Sequence, residues 1–477
     1  MTRLPLAVLH KFPANLIQLL IIAALLCSQI AVATDAFEAR RLPDVRLLID
    51  VSADSVSQDE ALLLHQWLEG FLHMLPADAR AGVWRFADTV DEILPPGVSV
   101  TRNWRARQLV NSGILSDLPA ALTAATVAPG AAVPMFDTTI IVLTDSGVNV
   151  SASPISNAHA ARSILTELAP AMREAGITVH TVALGEEADG FLLRALAHGT
   201  NGLDFEAKSV ADLSRVMLQL LDITTPASAV VVHERGFTLG EADRELRMLL
   251  THLPGDNAAL VDAGQAVLSK TSAPSETVWR AGNSLDVVSW PNPAPGRWQW
   301  RGVADSDSVI RVLEGVGILA GKLPSVMPAG SQQSWPLELP AAGRISAADG
   351  FALTVEVTDP QGDQKLIALA APGTGVAGER YIAELPVFDL PGRYRVLARL
   401  NNLDITRQTV AWVEVLPTGL NQSITTRSRD VSQQNFQRPV LSLAALGLVT
   451  LIILAWVLRQ RRQRKLELWH RRFQDPD

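Results

Sequence analysis

Between residues 44 and 223, short β-rich runs alternate with helical patterns, and this alternation limits the possible folds more than any other feature of the chain. Val45–Val51 (VRLLIDV), Thr139–Thr144 (TIIVLT) and Ile177–Ala183 read as strands buried on both faces, as in a parallel sheet covered by helices. Ala81–Thr89 reads as a further strand. Ser57 and Glu60 match an S-x-x-E capping box, opening a helix with Leu64, Trp67, Leu68, Phe71 and Leu75 on one side. Helices are also predicted over Ser116–Ala125, Asn157–Ala175 (stopped by Gly176), Ala188–Ala197 and Val210–Leu221, the last with a second box at Ser209 and Asp212. Such alternation predicts a doubly wound α/β parallel sheet over 44–223, whose ligands sit at the carboxyl ends of the strands.

From about 227 the helical period fades. Short β runs separated by Pro and Gly follow: Ser284–Ser289, Arg297–Gly302, Ser308–Leu313, Ala352–Thr358, Gly392–Leu400 and Gln408–Val415. They predict two antiparallel β-sandwiches, 227–313 and an Ig-like 330–416. Each holds a Pro-Gly-Arg turn entering an aromatic strand, Pro295-Gly296-Arg297-Trp298 and Pro391-Gly392-Arg393-Tyr394, a weak internal repeat. Trp298, Trp300 and Trp335 are expected in the cores.

The two ends read differently. Residues 1–33 carry Arg3 and Lys11, an apolar run Leu16–Cys27 and Ala31-Val32-Ala33, the pattern of a secretory signal peptide. An uncleaved anchor is the alternative. Leu26 before Cys27 argues against lipidation, and one cysteine excludes a disulfide framework. Residues 417–438 form a polar linker. Pro439–Leu458 has no charge and is about 20 residues long, enough for one transmembrane helix. The tail 459–477 holds seven Lys or Arg against three acids and is expected in the cytoplasm. The whole chain carries −8, so setting aside +2 on residues 1–33 and +4 on the tail leaves −14 on 34–438. An acidic outer body on one span predicts an inner (plasma) membrane protein with its body in the periplasm. That charge argues against nucleic acid as a partner.

The residues that carry chemistry lie at strand ends. The first strand runs into Asp50, Ser52 and Asp54, and the run TIIVLT into Asp145, while Ser116-Asp117-Leu118 opens a helix between them. A parallel sheet brings these loops to one edge. Carboxylates and hydroxyls there make an all-oxygen site for a hard cation, Mg²⁺ or Ca²⁺. The other reading is that these residues cap the following helices, and Asp117 is expected to do so. Gly315-Val316-Gly317 with Gly321 imitates a nucleotide loop, but its spacing is G-x-G-x-x-x-G and Pro324 forbids a long helix after it.

With these residues in view, 44–223 resembles a von Willebrand factor type A domain. The match rests on Asp50 and Ser52 of a D-x-S-x-S loop, on Ser116-Asp117-Leu118 for Thr-Asp-Leu, and on Leu143-Thr144-Asp145 for L-T-D-G. Asp54 stands where the family has its second Ser, Ser116 replaces Thr, and Ser146 intervenes before Gly147. The resemblance implies a metal-ion-dependent adhesion site (MIDAS) of Asp50, Ser52, Asp54, Ser116 and Asp145. It also implies a protein partner that reaches the metal through an acidic side chain. A third carboxylate at Asp54 either strengthens cation binding or fills the partner's place. The chain is therefore expected to be an adhesion or scaffold protein and not an enzyme, since no base such as His stands near the carboxylates. The alternative is an accessory subunit of a membrane transport, sensing or envelope-assembly complex, with a decayed, metal-free site.

Overall fold

The structure, a computed structural model, describes residues 41–417 apart from 53–57, 77, 99–108, 110–112, 128–134, 210–211, 226–227, 234, 304–307, 341–350, 370–372, 375–377 and 403. The expected signal peptide, the linker beyond Pro417, the membrane helix and the basic tail lie outside the described residues, as do Ser57 and Asp54. Among the described residues no helix is long and apolar enough to cross a membrane.

The first half is an α/β sheet of six strands: β1 (Leu42–Asp50), β2 (Arg80–Phe86), β3 (Val90–Val98), β4 (Phe136–Thr144), β5 (Thr178–Leu184) and β6 (Asp204–Ala207). Their order is β3-β2-β1-β4-β5-β6. All neighbours are parallel except β2 and β3, which form an antiparallel hairpin at one edge. The apolar runs are continuous because both faces of the sheet are covered. Leu47, Ile49, Ile141 and Leu143 face Trp67, Leu68 and Phe71 of the helix Gln58–His73 and Leu220 of the helix Leu213–Thr224. The alternate residues Leu48, Ile140 and Val142 face Leu122 of Leu118–Val127 and Leu196 of Gly190–Gly199. The helix expected over Asn157–Ala175 begins earlier, at Pro154 behind an N-cap Ser153, and passes through one π turn, Ile164–Leu168. It ends as expected at Gly176, where the Ile177 N–H reaches back 2.8 Å to the Met172 carbonyl.

Strand β3 was not legible in the sequence. Pro95-Pro96-Gly97 signals a turn, yet an edge strand tolerates proline because its outer N–H groups need no partner. The pairing with β2 slips its register twice to accommodate that segment.

The second half is β-sheet: β7 (Ala229–Val230), β8 (Gly236–Leu239), β9 (Glu245–Thr251), β10 (Ala259–Val261), β11 (Val267–Leu268), β12 (Val278–Arg280), β13 (Leu285–Pro291), β14 (Gly296–Arg301) and β15 (Val309–Glu314) come first. They are followed by β16 (Leu319–Ala320), β17 (Val326–Pro328), β18 (Ser334–Pro340), β19 (Ala352–Thr358), β20 (Gln364–Ile367), β21 (Gly373–Thr374), β22 (Gly378–Glu384), β23 (Gly392–Asn401) and β24 (Thr406–Leu416). Two small sheets, β11-β10-β14-β8 and β16-β18-β22-β21, each close one apolar core. Trp298 and Trp300 lie in the first core and Trp335 in the second, all at most 2% exposed.

The two sandwiches expected to divide near 313–330 are not independent, because they share their other layer. One sheet runs β12-β13-β9-β15-β7-β24-β23-β19-β20, and the short β7 joins its halves by pairing Ala229 with both Arg311 and Gln408. The back of this long sheet lies on the α/β domain: Leu249, Leu285 and Val287 belong to the same core as Phe71 and Leu221. Three arginines fasten the join. Arg247 donates to the His73 and Leu75 carbonyls at the end of one helix, and Arg311 to the Thr225 carbonyl and Asp222 at the end of another. Arg393 donates to the Asp204 carbonyl and lies over the Phe205 ring. Carbonyls left open at a helix C-terminus are natural partners for such cations. The described residues of both halves accordingly belong to one compact unit.

The repeated turn is real as a local device. Gly296 and Gly392 both take positive φ, +118° and +129°, and open β14 and β23. In each, the aromatic residue two places on folds back four residues: Trp298 Nε1 donates to the Ala294 carbonyl, and the Tyr394 hydroxyl accepts from the Leu390 N–H.

Candidate functional site

The chain builds β2 and β3 on one side of β1, then crosses to build β4, β5 and β6 on the other. The order of strands therefore reverses between β1 and β4, and at their carboxyl ends the loops diverge and leave a crevice. Asp50 is the last residue of β1, and Thr144 the last of β4.

Asp50 organises this crevice. Its Oδ2 accepts three hydroxyl hydrogen bonds, from Ser116 (2.7 Å), Thr144 (2.6 Å) and Ser146 (2.9 Å). Its Oδ1 accepts the Ser52 N–H at 3.0 Å. Ser52 and Ser116 are buried, while Asp50 and Asp145 are partly exposed. The loops are stitched together by backbone: Ser116 and Asn149 exchange N–H···O bonds of 2.8 and 3.1 Å. Asp117 is a helix cap, as expected, its Oδ1 accepting the Ala120 N–H. Asp88 plays a similar role for the preceding turn, accepting the Ile114 and Leu115 N–H groups.

Of the five residues expected at the site, Asp50, Ser52 and Ser116 are brought into direct contact, and Asp145 lies between the contacting Thr144 and Ser146. Asp54 lies outside the described residues. The hydroxyls of Thr144 and Ser146 were not anticipated as site residues. The signal for them was the carboxylate at the end of β1 facing a strand that ends in Thr, with Ser two positions on. No group of three His, Cys, Asp or Glu able to hold a metal is present among the described residues. A cation here would rest on hydroxyls as much as on carboxylates. That donor set, all oxygen, suits a hard divalent ion.

The glycine run at 315–317 serves packing. A Cβ on Gly315 would stand 2.2 Å from Asp243 Oδ1, and one on Gly317 would stand 2.8 Å from the Ser228 hydroxyl. The Val316 and Ile318 N–H groups bond those same two side chains.

No protein-family model and no curated protein matches the chain. Among solved structures it is similar to proximal thread matrix protein 1 from mussel byssus, with 15% identity over 39% of this chain and 46% of that one and a TM-score of 0.30. The chain thus spans just under half the length of that protein, of which another structure has a zinc-occupied MIDAS motif. It is similar to a von Willebrand factor type A protein from Catenulispora acidiphila, with 12% identity over 81% of this chain and 69% of that one and a TM-score of 0.32. It is also similar to the conserved hypothetical protein BatB from Bacteroides thetaiotaomicron, with 16% identity over 36% of this chain and 98% of that one and a TM-score of 0.26. The fold itself is a mixed parallel and antiparallel α/β sheet joined to extensive antiparallel sheet.

Proposed function

We propose that this chain is a single-pass, membrane-anchored binding or scaffold protein, with its body in the periplasm and its basic tail in the cytoplasm. Its type A-like domain would hold a protein partner at the Asp50 crevice and carry out no catalysis. Asp50, Ser52, Ser116 and Asp145 would hold Mg²⁺ or Ca²⁺, with Thr144 and Ser146 beside them. Such an ion would bind an Asp or Glu of the partner. The observation that supports this reading is the convergence of one carboxylate and three hydroxyls, from three separate loops, at the point where the sheet order reverses.

A second reading has its own support. Asp50 already accepts three hydroxyls and one N–H, so its charge is compensated without a cation. The protein would then be a metal-free accessory subunit of a membrane transport, sensing or envelope-assembly complex.

Thermal unfolding of the full chain with EDTA, Mg²⁺ or Ca²⁺, alongside Asp145→Ala, separates the two. A cation bound only to the folded state adds about 2.7 kcal/mol at a hundredfold excess over its Kd. A shift in the native protein that Asp145→Ala lacks supports the cation site. Equal midpoints in EDTA and in both metals support the metal-free reading.

A further inference from the structure

Three large apolar side chains stand exposed on the loops tied to the Asp50 crevice. Ile155, Ile114 and Phe191 are 83%, 82% and 79% exposed, the three highest values among the exposed large hydrophobics. They come from three different loops, and the structure ties those loops to one edge. Ile114 precedes Ser116, whose hydroxyl binds Asp50, and its carbonyl accepts from the Asn149 amide at 3.3 Å. Ile155 lies in the first turn of Pro154–Ser163, where the Asn157 amide donates to the Asn149 side chain at 3.1 Å. Phe191 lies in the first turn of Gly190–Gly199, whose N-cap Asp189 stands against Gly147, 3.8 Å from where a Cβ there would be.

The same loops are acidic. Segments 113–117, 144–157 and 184–191 hold Asp117, Asp145, Glu186, Glu187 and Asp189, and no Lys or Arg. Glu186, Glu187 and Asp189 are exposed. Large exposed apolar side chains grouped on one face mark interaction sites, and a one-sign rim selects a partner of the other sign.

We propose that this face docks a protein segment in which Lys or Arg side chains flank large apolar ones. The apolar side chains cover Ile114, Ile155 and Phe191, and the cations meet Glu186 and Glu187. This rests on the crevice being a partner-binding surface, and it adds the chemistry of the partner around it. An acidic group at a central cation and basic, apolar flanks are compatible within one partner.

The test measures binding to the full chain of a synthetic amphipathic Leu/Lys peptide and of its Leu/Glu counterpart. Both are repeated with Ile114→Ser/Ile155→Ser/Phe191→Ser and with Glu186→Gln/Glu187→Gln. These residues are exposed, so unchanged melting temperatures are expected to confirm folding. The Leu/Lys peptide is expected to bind, to weaken about tenfold or more in the triple Ser variant, and to weaken with Glu186→Gln/Glu187→Gln and with added salt. Equal binding by the triple Ser variant would show attraction by overall charge alone and overturn the proposal, as would equal binding of the Leu/Glu peptide. All arms are run in EDTA and in Mg²⁺. A peptide that binds equally in both, through the apolar rim, upholds this face even if the cation site fails.

Discussion

Arg407 Nη2 lies 2.6 Å from Asp243 Oδ2, and neither side chain is exposed. The pair sits where the two β cores meet and is held by further hydrogen bonds. Arg407 also donates to the Val316, Thr238 and Thr406 carbonyls, and Asp243 accepts the Gly240 and Val316 N–H groups. Removing one partner leaves the other buried and unpaired. Arg407→Met is expected to destabilise the protein by about 3–5 kcal/mol. Adding Asp243→Asn should recover part of that loss, and urea unfolding of both variants measures it.

Gly315 lies against the same carboxylate, at φ +148° and 2.2 Å from Asp243 Oδ1 by its ideal Cβ. Gly330 also has positive φ, +85°, but a Cβ there meets nothing within 4 Å. Gly330→Ala should cost only backbone strain, about 1 kcal/mol, whereas Gly315→Ala should cost at least about twice that. Gly315→Ala and Arg407→Met should also be non-additive, since each disturbs Asp243. Equal midpoints for the two alanine variants in urea would refute the packing role of Gly315.

Much of the fold was legible because burial on both faces writes itself into sequence. Thr139–Thr144 and Ile177–Ala183 mark strands of the parallel sheet, and Ala352–Thr358 coincides with β19. Three things were not legible. The hairpin strand β3 hides behind prolines. The merging of the two sandwiches depends on β7, two residues long, whose pairing across distant strands leaves no periodic trace. The docking of the long sheet on helices is carried by single arginines, and Arg247, Arg311 and Arg393 look in sequence like any surface cation. At the site, Asp50 and Ser116 could be anticipated from motif spacing. The hydroxyls of Thr144 and Ser146 depend on how β4 ends beside β1, which only the register fixes.

Asp50 is predicted to hold the crevice together whether or not a cation binds. Asp50→Asn replaces an acceptor of three hydroxyls with a neutral amide, leaving donors to compete for fewer lone pairs. A loss of about 1–3 kcal/mol is expected. Ser146→Ala removes one of the three bonds at a partly exposed position and should cost less, about 1 kcal/mol. If Asp50→Asn unfolds at the same denaturant concentration as the native protein, the hydroxyl cluster does not contribute to stability.

His180, in the middle of β5, should make the protein sensitive to mild acid. Its ring is 1% exposed, and Nδ1 accepts the Leu203 N–H at 2.9 Å, which fixes a neutral tautomer. Burial, reinforced by the nearby Lys322 cation, lowers its pKa from 6.5 to about 3. The unfolded chain therefore binds a proton near pH 6.5 that the folded chain refuses until about pH 3. Stability is full above pH 6.5 and falls through that window as pH drops, by about 1.4 kcal/mol per pH unit for this one proton. Asp204 acts lower on the scale: despite desolvation, its bonds to His198 and Arg194 hold its pKa at about 2, so its contribution is lost only as pH falls from about 3.8 through 2. His180→Asn keeps an acceptor for Leu203 and does not titrate. Between pH 6.5 and 4 its stability should fall less steeply than that of the native protein by about one proton's worth, read from urea midpoints at each pH. Identical slopes for the two proteins would mean that His180 is not held neutral in the folded state.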